Sequence, residues 1–235
     1  MGIFLFALRG NLLLSLMMDE RLLLDGLINY FCLVILITFH EFGHAWMSWK
    51  RGDDTARLLG RITLNPLAHM EVLGTVVLPL LAVFLTASGS SGLTRFIIGW
   101  GKPVPVNSAN LSNRGFDWVL IALAGPAMNI VLAVLAMALA RAGMTFGSTS
   151  VVDLGFRLAQ LNFFLCFFNL IPIPPLDGSH VARYFIGMSE ETYLKLCQYG
   201  FLFVIVVIQI PQVRLALQFA TSFSMVVLAR AFGIQ

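Results

Sequence analysis

Long apolar runs, separated by short polar connections, dominate the chain. Leu22 to Trp49 is almost wholly apolar, and a run of about 20 residues suffices for a helix to cross a bilayer. Phe116 to Ala140 and Leu154 to Ile171 read as further spans. Phe201 to Ile210 is an apolar core that needs flanking residues on both sides to cross, and Leu215 to Phe232 makes a last span after a break at Pro211. Between the first span and Phe116 the pattern changes. Gly60-Arg61-Ile62-Thr63-Leu64-Asn65 alternates polar and apolar before Pro66, which predicts a short strand. Trp100 to Val106 carries two prolines, which forbid a regular helix and predict an extended segment. Glu71 to Thr86 is apolar again, and Ser88 to Gly92 reads as a turn. The pattern predicts an all-α polytopic membrane bundle of about five to six spans. Short strand or extended elements lie between its first two core spans, in a single domain over residues 1–235.

Composition sharpens this. Only 11% of the 235 residues are charged and 58% are hydrophobic, against about 25% charged in soluble domains. An integral membrane protein with no separate soluble domain is expected. The net charge of +3 marks cytoplasmic loops rather than nucleic-acid binding, since no basic run with interleaved aromatics is present. Lys50, Arg51, Arg57 and Arg61 form the densest cationic cluster, so the loop after the first span is expected on the cytoplasmic side. Arg95, Lys102 and Arg114 assign the Trp100 segment to the same side. One crossing cannot connect two cytoplasmic loops, so Glu71 to Gly99 should enter and return as a hairpin. Met1 to Met18 has no basic n-region and no clean cleavage site. It reads as an interfacial helix or partial span, not a signal peptide. Cys32, Cys166 and Cys197 lack any C-x-x-C spacing, which points to packing rather than to a disulfide or thiolate metal site.

The chemistry concentrates where the apolar pattern is violated. His40-Glu41-Phe42-Gly43-His44 inserts two imidazoles and a carboxylate into the first span, and ionisable groups at such depth are costly. A spacing of four stacks His40 and His44 on one helix face, where both can ligate one zinc ion. Glu41 lies beside that face and can take a proton from a water held there. A bare HExxH in a soluble protein is a weak signal; within lipid, three such polar groups are hard to satisfy by packing alone.

A second violation lies at Asn169-Leu170-Ile171-Pro172-Ile173-Pro174-Pro175-Leu176-Asp177-Gly178. Three prolines stop the helix, and broken backbone at membrane depth must be buried in protein or line a wet cavity. A catalytic zinc takes three protein ligands and keeps one position open. Asp177 is the expected third ligand, with His69 and His180 as competitors, and helix N-capping is its alternative duty.

These two motifs together resemble those of the site-2 protease family of intramembrane zinc metalloproteases, in a compact form without room for a PDZ or CBS domain. The resemblance extends to Asn65-Pro66-Leu67-Ala68-His69, Gly101-Lys102-Pro103-Val104-Pro105-Val106-Asn107 and Gly125-Pro126-Ala127-Met128-Asn129. Glu71-Val72 departs from the Asp-Pro more often found in compact relatives. The resemblance implies one zinc ion held by His40, His44 and Asp177, Glu41 as catalytic acid/base, and Asn169 beside the metal. From its position eight residues before Asp177, Asn169 is expected to donate to the developing oxyanion. Asn129, beside Gly125 and Pro126, is expected to serve interhelical packing.

The expected activity is hydrolysis of peptide bonds in transmembrane protein or peptide substrates, within the bilayer of a prokaryotic plasma membrane. Lys50 lies ten residues beyond His40, roughly 15 Å along a helix, so water should reach the metal from the cytoplasmic side. A substrate helix must first unwind, and the Ile62 to Leu64 strand or the Val104 segment is expected to hold it extended by strand addition. A membrane metal-ion transporter and a catalytically inert binding relative are the alternatives. The single metal motif, with Glu41 between its histidines, speaks against the first. The complete ligand set speaks against the second. Nothing in the sequence specifies an oligomeric state.

Overall fold

The computed structural model describes residues 19–89 and 99–234. Among these residues it is all-helical, with no strand. Five helices among the described residues are long and apolar enough to cross a membrane: α1 (Glu20–Lys50), α4 (Arg114–Thr145), α5 (Thr149–Asn169), α7 (Glu190–Gln209) and α8 (Pro211–Ala231). Shorter helices connect them: α2 (Thr55–Leu58), α3 (Leu78–Ala87) and α6 (Asp177–Ile186).

The helix ends follow local chemistry. Asn113 Oδ1 accepts the Phe116 N–H at the start of α4, and Ser189 Oγ accepts the Thr192 N–H at the start of α7. Pro211 occupies the first turn of α8, where its missing N–H costs nothing. The break expected at Pro211 is therefore a helix start. Gly187 ends α6 with a left-handed φ of 66°, a conformation that favours glycine.

The described chain divides into two units. The first holds residues 19–35, 70–89 and 99–102. In it Glu71 caps a π-helical turn, Val72–Val77, by accepting the Gly74 N–H at 2.6 Å, and α3 follows directly. Trp100 N–H donates to Gly74 O at 3.1 Å, and Thr75 Oγ1 donates to Trp100 O at 2.8 Å. The chain thus comes back beside its own starting point, as a hairpin requires; residues 90–98 of that excursion lie outside the described residues. The interfacial helix or partial span expected over Met1 to Met18 lies outside them too.

The second unit holds residues 36–69 and 103–234. Its most extensive packing is between α4 and α5. Ala133, Ala136, Ala140 and Ala159 are buried at this seam, and a Cβ on Gly155 would sit 2.7 Å from Ala136 O. Small residues let the two backbones approach, the source of dispersion contact available to helices in lipid. α8 packs on α5 and α7, and α6 packs on α4. Cys32 and Cys166 are buried and Cys197 is half-buried, none of them in a disulfide, in keeping with packing roles.

The strand expected over Gly60 to Asn65 does not form. A strand needs a partner for its backbone groups, and here the polar groups close locally instead. Thr63 Oγ1 accepts the Asn65 N–H, Asn65 Oδ1 accepts the Leu67 N–H, and Thr63 O accepts from His69 Nε2 at 2.8 Å. Burial does not follow the alternation: Arg61 is buried, Ile62 and Thr63 are half-buried, and Leu64 is exposed. Trp100 to Val106 forms neither helix nor strand.

Asp53 organises the loop after α1. Fully buried, its carboxylate accepts from Ser48 Oγ, Thr55 N and Oγ1, Asn107 N and Asn110 Nδ2 at 2.5–3.1 Å. Burial alone would raise its pKa. The hydrogen bonds outweigh that effect and hold the carboxyl below the ordinary carboxylate value.

Candidate metal centre

α1 presents His40 and His44 one turn apart. His40 is 5% exposed and His44 7%. Asp177, the first residue of α6, meets them. His40 Nε2 lies 3.1 Å from Asp177 Oδ2, His44 Nε2 lies 3.3 Å from Asp177 Oδ1, and the two Nε2 atoms are 3.1 Å apart. One ligand atom from each of the three residues lies within 4.8 Å of the others. Two imidazole nitrogens and a carboxylate converging on one point, away from bulk water, match the donor set of a catalytic zinc site. This is the one such cluster among the described residues.

The backbone around the cluster explains its shape. His44 Nδ1 donates to Ile121 O of α4 at 2.8 Å. That bond fixes the tautomer and leaves the Nε2 lone pair pointing at the cluster. Pro126 withholds an N–H from the same stretch of α4. α1 and α4 cross at two glycines. A Cβ on Gly43 would lie 2.7 Å from Ala124 O, and one on Gly125 would lie 2.7 Å from His40 Cε1 and closer still to His44 Nε2. Both imidazoles thus lie against bare α4 backbone. Gly178 is pinned as tightly, since its Cβ would collide with Leu170 O and lie 2.8 Å from Ile171 O. The proline-broken segment is thereby folded back on the end of α5, which delivers Asp177 to the histidines. Leu176, not Asp177, is the N-cap of α6, so capping does not occupy the Asp177 carboxylate.

Glu41 is half-buried beside His40, and its charge acts on Arg61 and His69. The two rival ligands make other contacts, and each keeps a buried Nδ1 without a hydrogen-bond partner. His69 bonds to Thr63 O, while His180 stacks on Trp118 with ring centroids 4.6 Å apart and packs against Tyr193. Asn169, the last residue of α5, donates from Nδ2 to Leu165 O at 2.9 Å, which leaves its second amide hydrogen free of the helix. Asn129 makes an interhelical contact, as expected of it, and the contact is to His40. It is fully buried, with Nδ2 3.1 Å from His40 Nδ1. The four-residue spacing of Gly125 and Asn129 was the available signal, since it puts both on one face of α4. What the spacing alone could not reveal was that this face meets the histidines.

An all-helical membrane protein with a buried His₂–carboxylate cluster built around HExxH belongs to the class of membrane-embedded metallopeptidases. The comparisons agree. The profile of Peptidase family M50 matches residues 144–208. Over 187 residues the chain is 32% identical to the "Putative zinc metalloprotease YwhC" of Bacillus subtilis (strain 168), covering 76% of this chain and 78% of that protein. It is also 32% identical over 179 residues to Rip2 of Mycolicibacterium smegmatis, which carries the same designation, covering 74% of this chain and 64% of the relative. Rip2 of Mycobacterium tuberculosis (strain ATCC 25618 / H37Rv) is 30% identical over 148 residues, 62% of this chain and 52% of its own. No solved structure matches. The chain belongs to Peptidase family M50, the site-2 protease family.

Proposed function

We propose that this protein is an intramembrane zinc metalloprotease that hydrolyses peptide bonds of transmembrane protein or peptide substrates. The observation that carries the reading is the convergence of His40, His44 and Asp177 within a buried volume, in a chain related to zinc metalloproteases. His40 Nε2, His44 Nε2 and a carboxylate oxygen of Asp177 hold one zinc ion. When bound, zinc supplies Lewis-acid polarisation of water or a substrate carbonyl.

The protein's own side chains do the rest. Glu41 takes the proton of the attacking water and returns it to the leaving amine. The free N–H of Asn169 donates to the oxygen on which negative charge develops. Burial of the cluster excludes stray water and strengthens each of these interactions. Water enters from the cytoplasmic side, the side assigned by Lys50, Arg51, Arg57 and Arg61.

Reconstitution with a model transmembrane substrate tests the reading. Glu41→Gln preserves size and polarity but removes the base, so it should keep wild-type zinc content and lose cleavage. Asp177→Ala should lose both. Cleavage by Glu41→Gln at near the wild-type rate would remove Glu41 from the chemistry. Zinc retained in Asp177→Ala would move the third ligand to His69 or His180. Zinc flux across the vesicle wall without cleavage would favour a transporter, and absence of zinc from the wild-type chain would favour an inert binding relative.

A further inference from the structure

His40 differs from His44 in the partner of its second ring nitrogen. His44 Nδ1 faces a carbonyl, an acceptor in every state of the protein. His40 Nδ1 faces the Nδ2 end of the Asn129 carboxamide at 3.1 Å, and Nδ2 can only donate. This pairing suits an imidazole whose proton sits on Nε2, where His44 Nε2 accepts it at 3.1 Å and Asp177 Oδ2 lies equally near. It does not suit a metal ligand. An imidazole that gives its Nε2 lone pair to zinc carries its proton on Nδ1, and that N–H must find an acceptor.

The acceptor is already present on the same residue. Asn129 Oδ1 is buried and has no hydrogen-bond partner, an arrangement that costs free energy as it stands. Half a turn of the carboxamide about its last side-chain bond exchanges Oδ1 and Nδ2 within nearly the same volume. The exchange presents Oδ1 to His40 Nδ1–H and ends the isolation of that oxygen. Gly125, one turn earlier on the same face of α4, contributes no side chain to His40.

We propose that Asn129 is a positioning residue for the metal centre, turning its carbonyl oxygen toward His40 Nδ1–H when zinc binds and fixing the tautomer and ring orientation of that ligand. This inference rests on the zinc-site reading above. Asn129 touches neither substrate nor reacting atoms; it acts through His40.

The test uses the full chain purified in detergent, with zinc affinity measured by competition against a chromophoric chelator. Thermal unfolding of the metal-free forms is measured on the same preparations. Asn129→Leu keeps the approximate volume and removes the acceptor, so zinc affinity should fall by roughly 10- to 100-fold, the usual loss on removing such an outer partner. Asn129→Asp keeps an acceptor and has no N–H to offer, so it should bind zinc at least as tightly as the wild type. A role confined to interhelical packing predicts lowered melting temperatures for both variants with unchanged zinc affinity, which would overturn the proposal. So would a loss in Asn129→Asp as large as that in Asn129→Leu. If Asn129→Leu is not recovered folded, Asn129→Asp decides alone: retained affinity supports the carbonyl assignment, and a tenfold loss refutes it. Absence of zinc from the wild-type chain would instead refute the zinc-site reading itself.

Discussion

Gly125→Ala is the smallest change that should disable the metal centre without touching a ligand. The added Cβ would lie 2.7 Å from His40 Cε1 and 2.6 Å from His44 Cε1, where ordinary Cβ contacts begin near 3.4 Å. His40 must therefore retreat by roughly 0.7 Å and His44, whose Nε2 would lie closer still to the new Cβ, by roughly 1.1 Å, several times the ~0.2 Å latitude of a zinc–ligand bond. If α4 withdrew instead, the close approach of the two helices at Gly43 and Ala124 would be lost. In the metal-free protein the imidazoles can swing aside, so most of the strain appears only when zinc draws them back. Overpacking of this kind costs about 1–3 kcal/mol, which corresponds to roughly 5- to 150-fold in zinc affinity. Gly155→Ala supplies the control, since it overpacks the α4–α5 seam against Ala136 O away from the cluster. It should lower the melting temperature of the metal-free protein and leave zinc affinity unchanged. Chelator competition and thermal unfolding on both variants check this. Wild-type zinc affinity in Gly125→Ala would refute the argument that the glycine shapes the ligand pair.

Asn169→Ala should reduce turnover by about 10²–10³ if its free N–H meets the oxyanion, with zinc content unchanged; normal turnover with a lowered melting temperature would make it interhelical glue. A cysteine at Arg57, in a Cys197→Ser background, should react with an impermeant thiol reagent only from the cytoplasmic face of sealed vesicles, and labelling only from the opposite face would invert the topology. His69 should make stability fall with acid: burial lowers its pKa from the ordinary 6.5, so below about 6.5 the unfolded chain takes up a proton that the native state resists. Both states are neutral above that pH. His69→Gln should flatten the loss of stability between about pH 7 and 5, and an unchanged slope would show that His69 is not its source.

The spans were legible because apolar runs of sufficient length leave few alternatives in a bilayer. The segments assigned as Leu22–Trp49 and Phe116–Ala140 became Glu20–Lys50 and Arg114–Thr145, longer because polar end residues continue a helix once it is anchored. The clustering of His40, His44 and Asp177 was legible for a related reason. HExxH and the proline-broken Asp177 segment both place expensive groups where lipid should exclude them. The Gly60–Asn65 strand was misread because alternation makes a strand only where a partner can pair with it. No partner strand exists among the described residues. Asn129 was undervalued because an amide in a membrane helix has many uses, and only the crossing of α1 and α4 reveals that its neighbour is a ligand rather than another helix backbone.

The clasp at Asp53 bears on how chains of this design can change length. One carboxylate ties the loop after α1 to the Asn107–Asn110 turn, so the two ends of the stretch from residue 54 to 106 are held together at a closed neck. Its closure is set at that neck and not by its contour, and each doubling of such a loop costs only about 0.6 kcal/mol. Insertions there would be tolerated far better than insertions between α5 and α6, where a single extra residue would carry Asp177 out of reach. The excursion is therefore the natural place for this architecture to gain or shed sequence, with the metal ligands on either side of it left in register.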